Sequence, residues 1–178
     1  MRTLFFVLIL SILLSALNAQ AQTYTQNCRA IDDDYLTFSI TSDLQKKSDL
    51  KLSAIAYEDE NCKTPYLVFN RYFTIADKAD EKIDLKTEKV TYTVLSDEVA
   101  RALKQINYCN IRNWQVNVEM DVTGVKCEDY QQLSRSQIYY QILKANENSL
   151  QFGNPTKGLS GLAPELRPTA FDREIFNR

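Results

Sequence analysis

Residues 114–122 read Trp-Gln-Val-Asn-Val-Glu-Met-Asp-Val. Apolar and polar side chains alternate along the whole stretch, so its apolar residues share one face. This period of two predicts a β-strand with one buried face, because no helix would place those residues on one side. A strand of this length would span roughly 30 Å, which is longer than usual. Such a strand needs long partners, so the stretch predicts a large antiparallel sheet around it.

The segments on either side supply those partners. Alternation and β-rich composition predict strands at Tyr35–Ile40, Leu50–Tyr57, Tyr66–Ile75, Lys82–Leu85, Lys89–Leu95, Ser136–Lys144 and Ser149–Phe152. Between them the period changes, since Val99, Leu103 and Ile106 recur at helical spacing behind the capping residue Ser96. One short amphipathic helix is therefore predicted over Ser96–Asn107. About eight strands without repeated βα units indicate a mainly β fold, an antiparallel barrel with a sandwich as the alternative.

Residues 1–21 have the layout of a secretory signal peptide. Arg2 gives a positive start, Leu4–Leu14 is almost wholly apolar, and Ala19-Gln20-Ala21 places small residues at the −3 and −1 positions. The apolar run is about half of what a membrane-spanning helix requires. We expect cleavage after Ala21, no transmembrane segment in the mature chain, and a secreted or periplasmic protein. An uncleaved signal anchor is the alternative.

The four cysteines, Cys28, Cys62, Cys109 and Cys127, all follow this segment. An even number in an exported chain predicts two disulfides. Sequence leaves three pairings open, and we favour Cys28–Cys62 with Cys109–Cys127 because each pair then closes a local unit. Zinc is the competing use, but the cysteines lack the short spacings of structural zinc sites and the chain has no histidine.

Residues 22–152 are predicted to form the barrel domain, and residues 153–178 a distinct C-terminal segment. That segment contains three of the four glycines and three of the four prolines of the chain, so regular strand pairing should stop there. Thr169 and Asp172 resemble a helix-capping pair. A short apolar face would then comprise Phe171 with Ile175 or Phe176. We expect the segment to pack over one end of the barrel, and a docking arm for a protein partner is the alternative.

The absence of histidine excludes several kinds of catalytic and metal-binding site. It excludes Ser-His-Asp and Cys-His nucleophiles and histidine-ligated haem. Cysteines held in disulfides would exclude thiol catalysis as well. The formal net charge is −2 with interspersed charges, so no basic face for nucleic acid is predicted. Carboxylates, lysines and tyrosines remain as possible catalytic side chains.

Two acidic clusters, Asp32-Asp33-Asp34 and Glu58-Asp59-Glu60-Asn61, are the candidates for a hard cation. A Cys28–Cys62 disulfide would bring both clusters to one end of the sheet. Carboxylates could then surround calcium there, with Asp32, Asp34, Glu58 and Asp59 as its ligands. No EF-hand spacing is present, and ordinary solvated turns are the competing interpretation. Two of these carboxylates acting together as in a glycosidase are a further alternative.

Aromatic and apolar side chains inside a barrel could line a cavity or fill the core. Tyr139 and Tyr140 must point to opposite faces of their strand. The candidates for a cavity lining are Trp114, Val116, Val118, Met120 and Tyr140. A packed core built from the same side chains is the competing interpretation.

The closing part of the predicted barrel has Ile138–Leu143, a turn, Leu150-Gln151-Phe152-Gly153, and Arg167-Pro168 beyond them. This layout is similar to the ends of the small barrels of the calycin class, which includes the lipocalins. The resemblance covers Tyr35–Phe152 as architecture and carries no ligand residues with it. An eight-stranded outer-membrane barrel would also alternate, but the cysteines, the helix and the charged strands argue against it.

The sequence thus predicts an exported, disulfide-bonded barrel that needs no cofactor and binds a small apolar ligand or a protein partner without catalysis. An inhibitor or adaptor that binds proteins through loops and the C-terminal segment is the first alternative. A carboxylate-dependent enzyme is the second.

Overall fold

The structure, a computed structural model, describes residues 21–42, 49–128, 130–155 and 160–178. The predicted signal peptide lies outside the described residues except for its final alanine. The strands are β1 (Gln22–Thr25), β2 (Arg29–Ile31), β3 (Asp34–Ser42), β4 (Leu50–Tyr57), β5 (Pro65–Ala79), β6 (Lys82–Val94), β7 (Glu119–Asp121), β8 (Lys126–Cys127), β9 (Tyr130–Gln131), β10 (Ile138–Ala145), β11 (Ser149–Phe152) and β12 (Phe176–Asn177). The helix α1 covers Asp97–Gln105, and short 3-10 turns lie at Tyr108–Asn110 and Pro164–Leu166.

Among the described residues, eight strands form a closed antiparallel barrel, which confirms the predicted fold class. The order around the ring is β1, β3, β4, β5, β6, β10, β11 and β12, and β12 pairs with β1 again. Two shorter strands lengthen the wall: β2 continues along β3, and β7 continues along β6 beyond the part that pairs with β10. In the described residues the ring closes through one residue pair, Thr25 with Asn177.

The hairpin of β5 and β6 is the longest element of the barrel, with strands of 15 and 13 residues. The sequence predicted β6 as two short strands, but the structure has one continuous strand. Its register with β5 shifts between Tyr72 and Phe73 and again between Ile75 and Asp77. Such irregularities bend a strand and increase its twist, so they let this long hairpin curve around the barrel.

The C-terminal segment closes the ring, and two expectations for it were wrong. Thr169 and Phe171 lie in irregular chain instead of a helix, and regular pairing resumes at Phe176–Asn177. There Phe176 pairs with Leu150 of β11, while Asn177 pairs with Thr25 of β1. The backbone groups at both open edges need partners. Satisfying them outweighs the weak local preference for a capped helix.

The prediction of one long strand over residues 114–122 was also wrong. Only Glu119–Asp121 forms a strand, paired with Thr91–Thr93 of β6. Asn117 adopts a left-handed conformation, with φ of 62°, and this turn interrupts the extended chain. Trp114 and Val122 at the two ends are fully buried, whereas Val118 is 39 % exposed. The alternating sequence therefore does not form one strand. It belongs to an irregular segment whose two end residues, Trp114 and Val122, are buried.

Helix α1 is confirmed, although it is shorter than predicted. Ala100 is buried, and Val99 and Leu103 pack against the core. Ile106 lies beyond the last helical residue and is 59 % exposed, so it does not belong to the packed face as expected. The acidic first turn and Lys104 in the last turn suit the helix dipole.

Both disulfides have the pairing that the sequence analysis favoured. Cys28 is bonded to Cys62, and Cys109 is bonded to Cys127. The first joins the chain just before β2 to the β4–β5 turn and is half-buried. The second ties the 3-10 turn after α1 to β8, and both of its cysteines are buried. Each bond therefore fixes a connection outside the main strand ladder.

Candidate functional site: a cavity inside the barrel

A cavity of about 220 Å³ lies inside the barrel. Its walls are mainly apolar side chains that point inward from the ring strands. They are Phe38, Ile40, Leu50, Leu52, Phe73, Leu85, Tyr139, Phe152 and Phe176. Pro155, which is exposed, belongs to the lining where the cavity meets the surface. A pocket of this kind, apolar with a few polar groups, is the usual form of a small-molecule site.

Strand alternation and register place these side chains. In one row across the sheet, Ile40 pairs with Leu52, and Leu52 pairs with Arg71. In the next, Leu50 pairs with Phe73. Since facing residues of neighbouring strands share a face, these rows form one continuous inner wall.

Tyr139 completes the wall from β10. Its ring stacks on that of Phe73, with centroids 6.1 Å apart. Its hydroxyl accepts a hydrogen bond of 2.9 Å from Nε2 of Gln141. The neighbouring Tyr140 lies on the outer face of β10, where the guanidinium of Arg167 stands 5.2 Å from the centre of its ring. Tyr139, and not Tyr140, therefore lines the cavity.

Two buried glutamines bring polar atoms into this apolar interior. Gln26 is 9 % exposed and Gln141 is 2 % exposed. The Oε1 atom of each is buried and has no hydrogen-bond partner within the protein. A buried acceptor left in this state costs about 1–3 kcal/mol.

Two arginines supply donors to the same cavity. Arg71 lies on the inner face of β5, where Nη2 donates to the Tyr130 hydroxyl at 2.8 Å. Arg29 lies over the ring of Phe38 at 5.0 Å, and its Nη1 is 3.5 Å from Oε1 of Glu174. The Nε atoms of both arginines are buried and unpartnered. Each guanidinium thus has a donor that no group of the described protein accepts.

Gly153 makes room for Gln141 at the edge of the cavity. A Cβ at position 153 would stand 2.5 Å from Cβ of Pro168, 2.8 Å from Cγ1 of Ile142 and 2.9 Å from Oε1 of Gln141. Any larger residue would displace the neighbours that set the position of this acceptor. Glycine is therefore required here by close approach.

An aromatic cluster fills the barrel on the side of Arg71 that faces away from Phe73. The ring of Tyr92 lies 5.0 Å from that of Phe69, 6.0 Å from that of Tyr108 and 6.4 Å from that of Trp114, centroid to centroid. Burial raises the pKa of the Tyr92 phenol, and the nearby Tyr108 raises it further, so the neutral form is favoured. Gln132 donates to this hydroxyl. The cluster is packed core and bounds the cavity on that side.

The other predicted lining residues lie elsewhere. Trp114 is part of the aromatic cluster, Val118 is exposed, and Met120 packs against the core from β7. Trp114 and Val116 instead line an open, largely polar depression of about 540 Å³ beside α1. The predicted lining is therefore wrong for the barrel cavity. Trp114 packs in the aromatic cluster that bounds the cavity, and Tyr140 lies on the outer face of β10.

Two of the four predicted calcium ligands, Asp59 and Asp34, use their carboxylates within the protein. Asp59 accepts backbone hydrogen bonds from Asn61 (3.0 Å), Lys63 (2.9 Å) and Thr64 (2.7 Å). Desolvation raises the pKa of this carboxyl, but the hydrogen bonds outweigh that effect and hold it below its usual value. Asp34 accepts a hydrogen bond from the Tyr66 hydroxyl. In the described ranges, no group of three or more His, Cys, Asp or Glu residues is placed to hold a metal ion.

Sequence reasoning missed the polar lining, although a signal for it was present. Arg71 falls two residues from Phe69 and two from Phe73 in a strand of period two. A charged residue in the buried phase of an alternating strand is unusual, because burying an unpaired charge is costly. Gln141 stands in the same way between Tyr139 and Leu143. Polar residues in the buried phase were therefore the feature that could have located the site.

No protein-family model matches the chain, and no curated protein matches its sequence. Within the residues that the structure describes, no helix combines the length and apolar character needed to cross a membrane.

Proposed function

We propose that the protein is an exported, non-catalytic carrier that binds one small, mainly apolar ligand inside its barrel. The cavity supports this proposal most directly, because its apolar walls enclose buried polar atoms that lack partners within the protein. Two disulfides fit an oxidising compartment. The volume corresponds to about seven molecules of liquid water, which favours a small molecule over a long lipid.

The architecture is compatible with a calycin-like barrel, and a closed ring of this size can hold one small ligand. The adaptor hypothesis has less support, because the C-terminal segment is tied to the barrel. Phe176 is buried in β12. Arg167 binds Asp84 at 2.6 Å and the carbonyl oxygen of Gln141 at 2.7 Å. A free docking arm would lack these contacts.

Calorimetric titration with indole tests the proposal, since indole is neutral, compact and offers one N–H donor to the glutamine oxygens. We expect saturable one-to-one binding to the mature protein. Leu52→Trp should abolish it by filling the cavity, whereas Leu162→Trp should not, since Leu162 is 49 % exposed and is not part of the lining. Overpacking by Leu52→Trp costs about 1–3 kcal/mol. Leu52→Phe therefore serves as the milder variant if the tryptophan prevents folding.

Failure of the wild-type protein to bind indole or any other compact apolar probe of similar size would contradict the proposal. Undiminished binding by both Leu52 variants would contradict it too, because the ligand would then occupy another site. Native mass spectrometry of protein purified from its own source supplies a second readout, in which a co-purifying small molecule supports the carrier.

A further inference from the structure

We infer that the ligand of this cavity is a small apolar acid, whose carboxylate is bound by Arg71 and Arg29 while its apolar part occupies the barrel. This inference rests on the proposed function and adds the chemical class of the ligand. It depends on which polar atoms the cavity leaves without partners, and on the charges that face it.

The lining of the cavity contains charged side chains. Among the described lining residues, the charged ones are Arg29, Arg71 and Asp172. Arg29 faces Glu174, whose Oε1 lies 3.5 Å from its Nη1, so the charge of Arg29 is already compensated. Arg71 is the other positive group of the lining. An anion beside its guanidinium would be stabilised in surroundings of low dielectric constant, whereas a neutral hydrocarbon would gain nothing from that charge.

The guanidinium groups of Arg71 and Arg29 use only part of their hydrogen-bonding capacity within the protein. Arg71 already uses Nη2 on Tyr130, and Arg29 is 3.5 Å from Glu174 through Nη1. In both residues the buried Nε remains unpartnered. Guanidinium N–H groups bind carboxylates with charge-assisted hydrogen bonds, which are about twice as strong as neutral ones. A carboxylate is therefore the acceptor that these donors fit best.

The two arginines reach the cavity from different strands. Arg71 lies in the middle of β5, opposite Leu52 on one side and Val90 on the other. The side chain of Arg29 is 32 % exposed and belongs to the short strand β2. Arg71 thus reaches the cavity from a ring strand, and Arg29 reaches it from the short strand beside β3. Both stack on phenylalanine rings, with Arg71 4.8 Å from the ring centre of Phe69, and this packing holds their planes in place.

The glutamines complete the recognition. The unpartnered Oε1 atoms of Gln26 and Gln141 require donors, which a carboxylate lacks. They are satisfied by a hydroxyl or N–H group on the ligand, or by a water retained beside it. A retained water can satisfy these oxygens, so a carboxylic acid without a further donor is compatible with the site.

The test compares two probes of the same shape, 3-phenylpropionate and its neutral amide, 3-phenylpropionamide, by calorimetric titration at pH 7. We expect the wild-type protein to bind the acid at least about tenfold more tightly, as loss of a hydrogen bond to a charged group implies. Arg71→Met, which keeps the apolar stem, should remove that preference and leave the affinity for the amide within about threefold. Arg135→Met is the matched control, since it removes the same charge from a side chain that is 60 % exposed.

Equal affinity for acid and amide in the wild-type protein would overturn the inference while leaving the carrier proposal intact. So would binding of indole without any binding of the acid. If neither indole nor either probe binds, the proposed function itself fails. The comparison of the two probes needs only wild-type protein, and Arg29→Met replaces Arg71→Met if the latter does not fold.

Discussion

Gln26, Gln141, Arg29 and Arg71 each bring a buried polar atom without a protein partner into one cavity. Such groups lower stability, and apolar replacements of similar shape would pack there without this cost. The barrel therefore carries polar groups that its own packing does not require. The proposed ligand would account for the presence of several such atoms around one space.

A different residue, Glu119, is engaged entirely at the surface. It accepts hydrogen bonds from Lys89 Nζ at 2.6 Å and from the Tyr72 hydroxyl at 2.9 Å. The hydrogen bond from Lys89 is the main cause that lowers the pKa of the Glu119 carboxyl below its usual value. The hydrogen bond from Tyr72 lowers this pKa further. The charged form is therefore favoured by folding. Its contribution to stability is present above the ordinary glutamate pKa and is lost as the pH falls through the lowered one.

We expect Glu119→Gln to reduce the free energy of unfolding at pH 7 by about 0.5 kcal/mol, because the pair is partly exposed. The difference from the wild-type protein should shrink as the pH is lowered from 5 to about 2. Urea unfolding at several pH values measures both. Glu147→Gln, on an exposed turn, is the control and should have no such effect. A difference that grows at acid pH would contradict this account.

At the scale of elements, the alternation of apolar and polar residues predicted most strands of the barrel. It did not predict the two short strands that close the ring. Strands β3, β4, β10 and β11 were found near their observed positions because alternation is strong there. The strands β1 and β12 were missed because they are four and two residues long and their pairing partners lie far away in sequence. Local periodicity contains no information about such contacts.

We expect Phe176→Ala to lower the free energy of unfolding by about 3–4 kcal/mol, since Phe176 is buried and packs edge-on against Phe152 with centroids 6.2 Å apart. Ile175 is the adjacent control, because it is 43 % exposed. Ile175→Ala should cost less than about 1 kcal/mol. Urea unfolding compares the two variants, and equal losses would show that β12 does not secure the ring.

At the scale of the whole molecule, the barrel and both disulfides followed from composition, cysteine number and alternation. The cavity did not, because its existence depends on how well side chains from several strands fill the interior. No single segment contains that information. The stretch at residues 114–122 shows the same limit, since its regular pattern continues through a left-handed residue at Asn117.

The two disulfides should differ in their resistance to reduction. Cys109 is 3 % exposed and Cys127 is fully buried, whereas Cys28 and Cys62 are half-buried. Graded dithiothreitol should therefore reduce Cys28–Cys62 first, at a cost of at most about 4 kcal/mol from chain entropy. The barrel should stay folded at that stage.

Alkylation of free thiols followed by peptide mass spectrometry gives the order, and circular dichroism reports the fold. Reduction of Cys109–Cys127 in a population that retains Cys28–Cys62 and a folded barrel would contradict the role of burial. A Cys28→Ala, Cys62→Ala variant is the control, because its remaining disulfide should resist reduction as it does in the wild-type protein.

The closure of the ring through β12 has a consequence for the time course of synthesis. Six of the eight ring strands, from β3 to β11, can begin to pair as they emerge, but β1 and β11 gain their common neighbour only at residues 176–177. Until then the nascent chain has two unsatisfied sheet edges, which other chains can join. A chain released without residues 176–177 should therefore depend on holding chaperones, whereas a released chain that contains them should not.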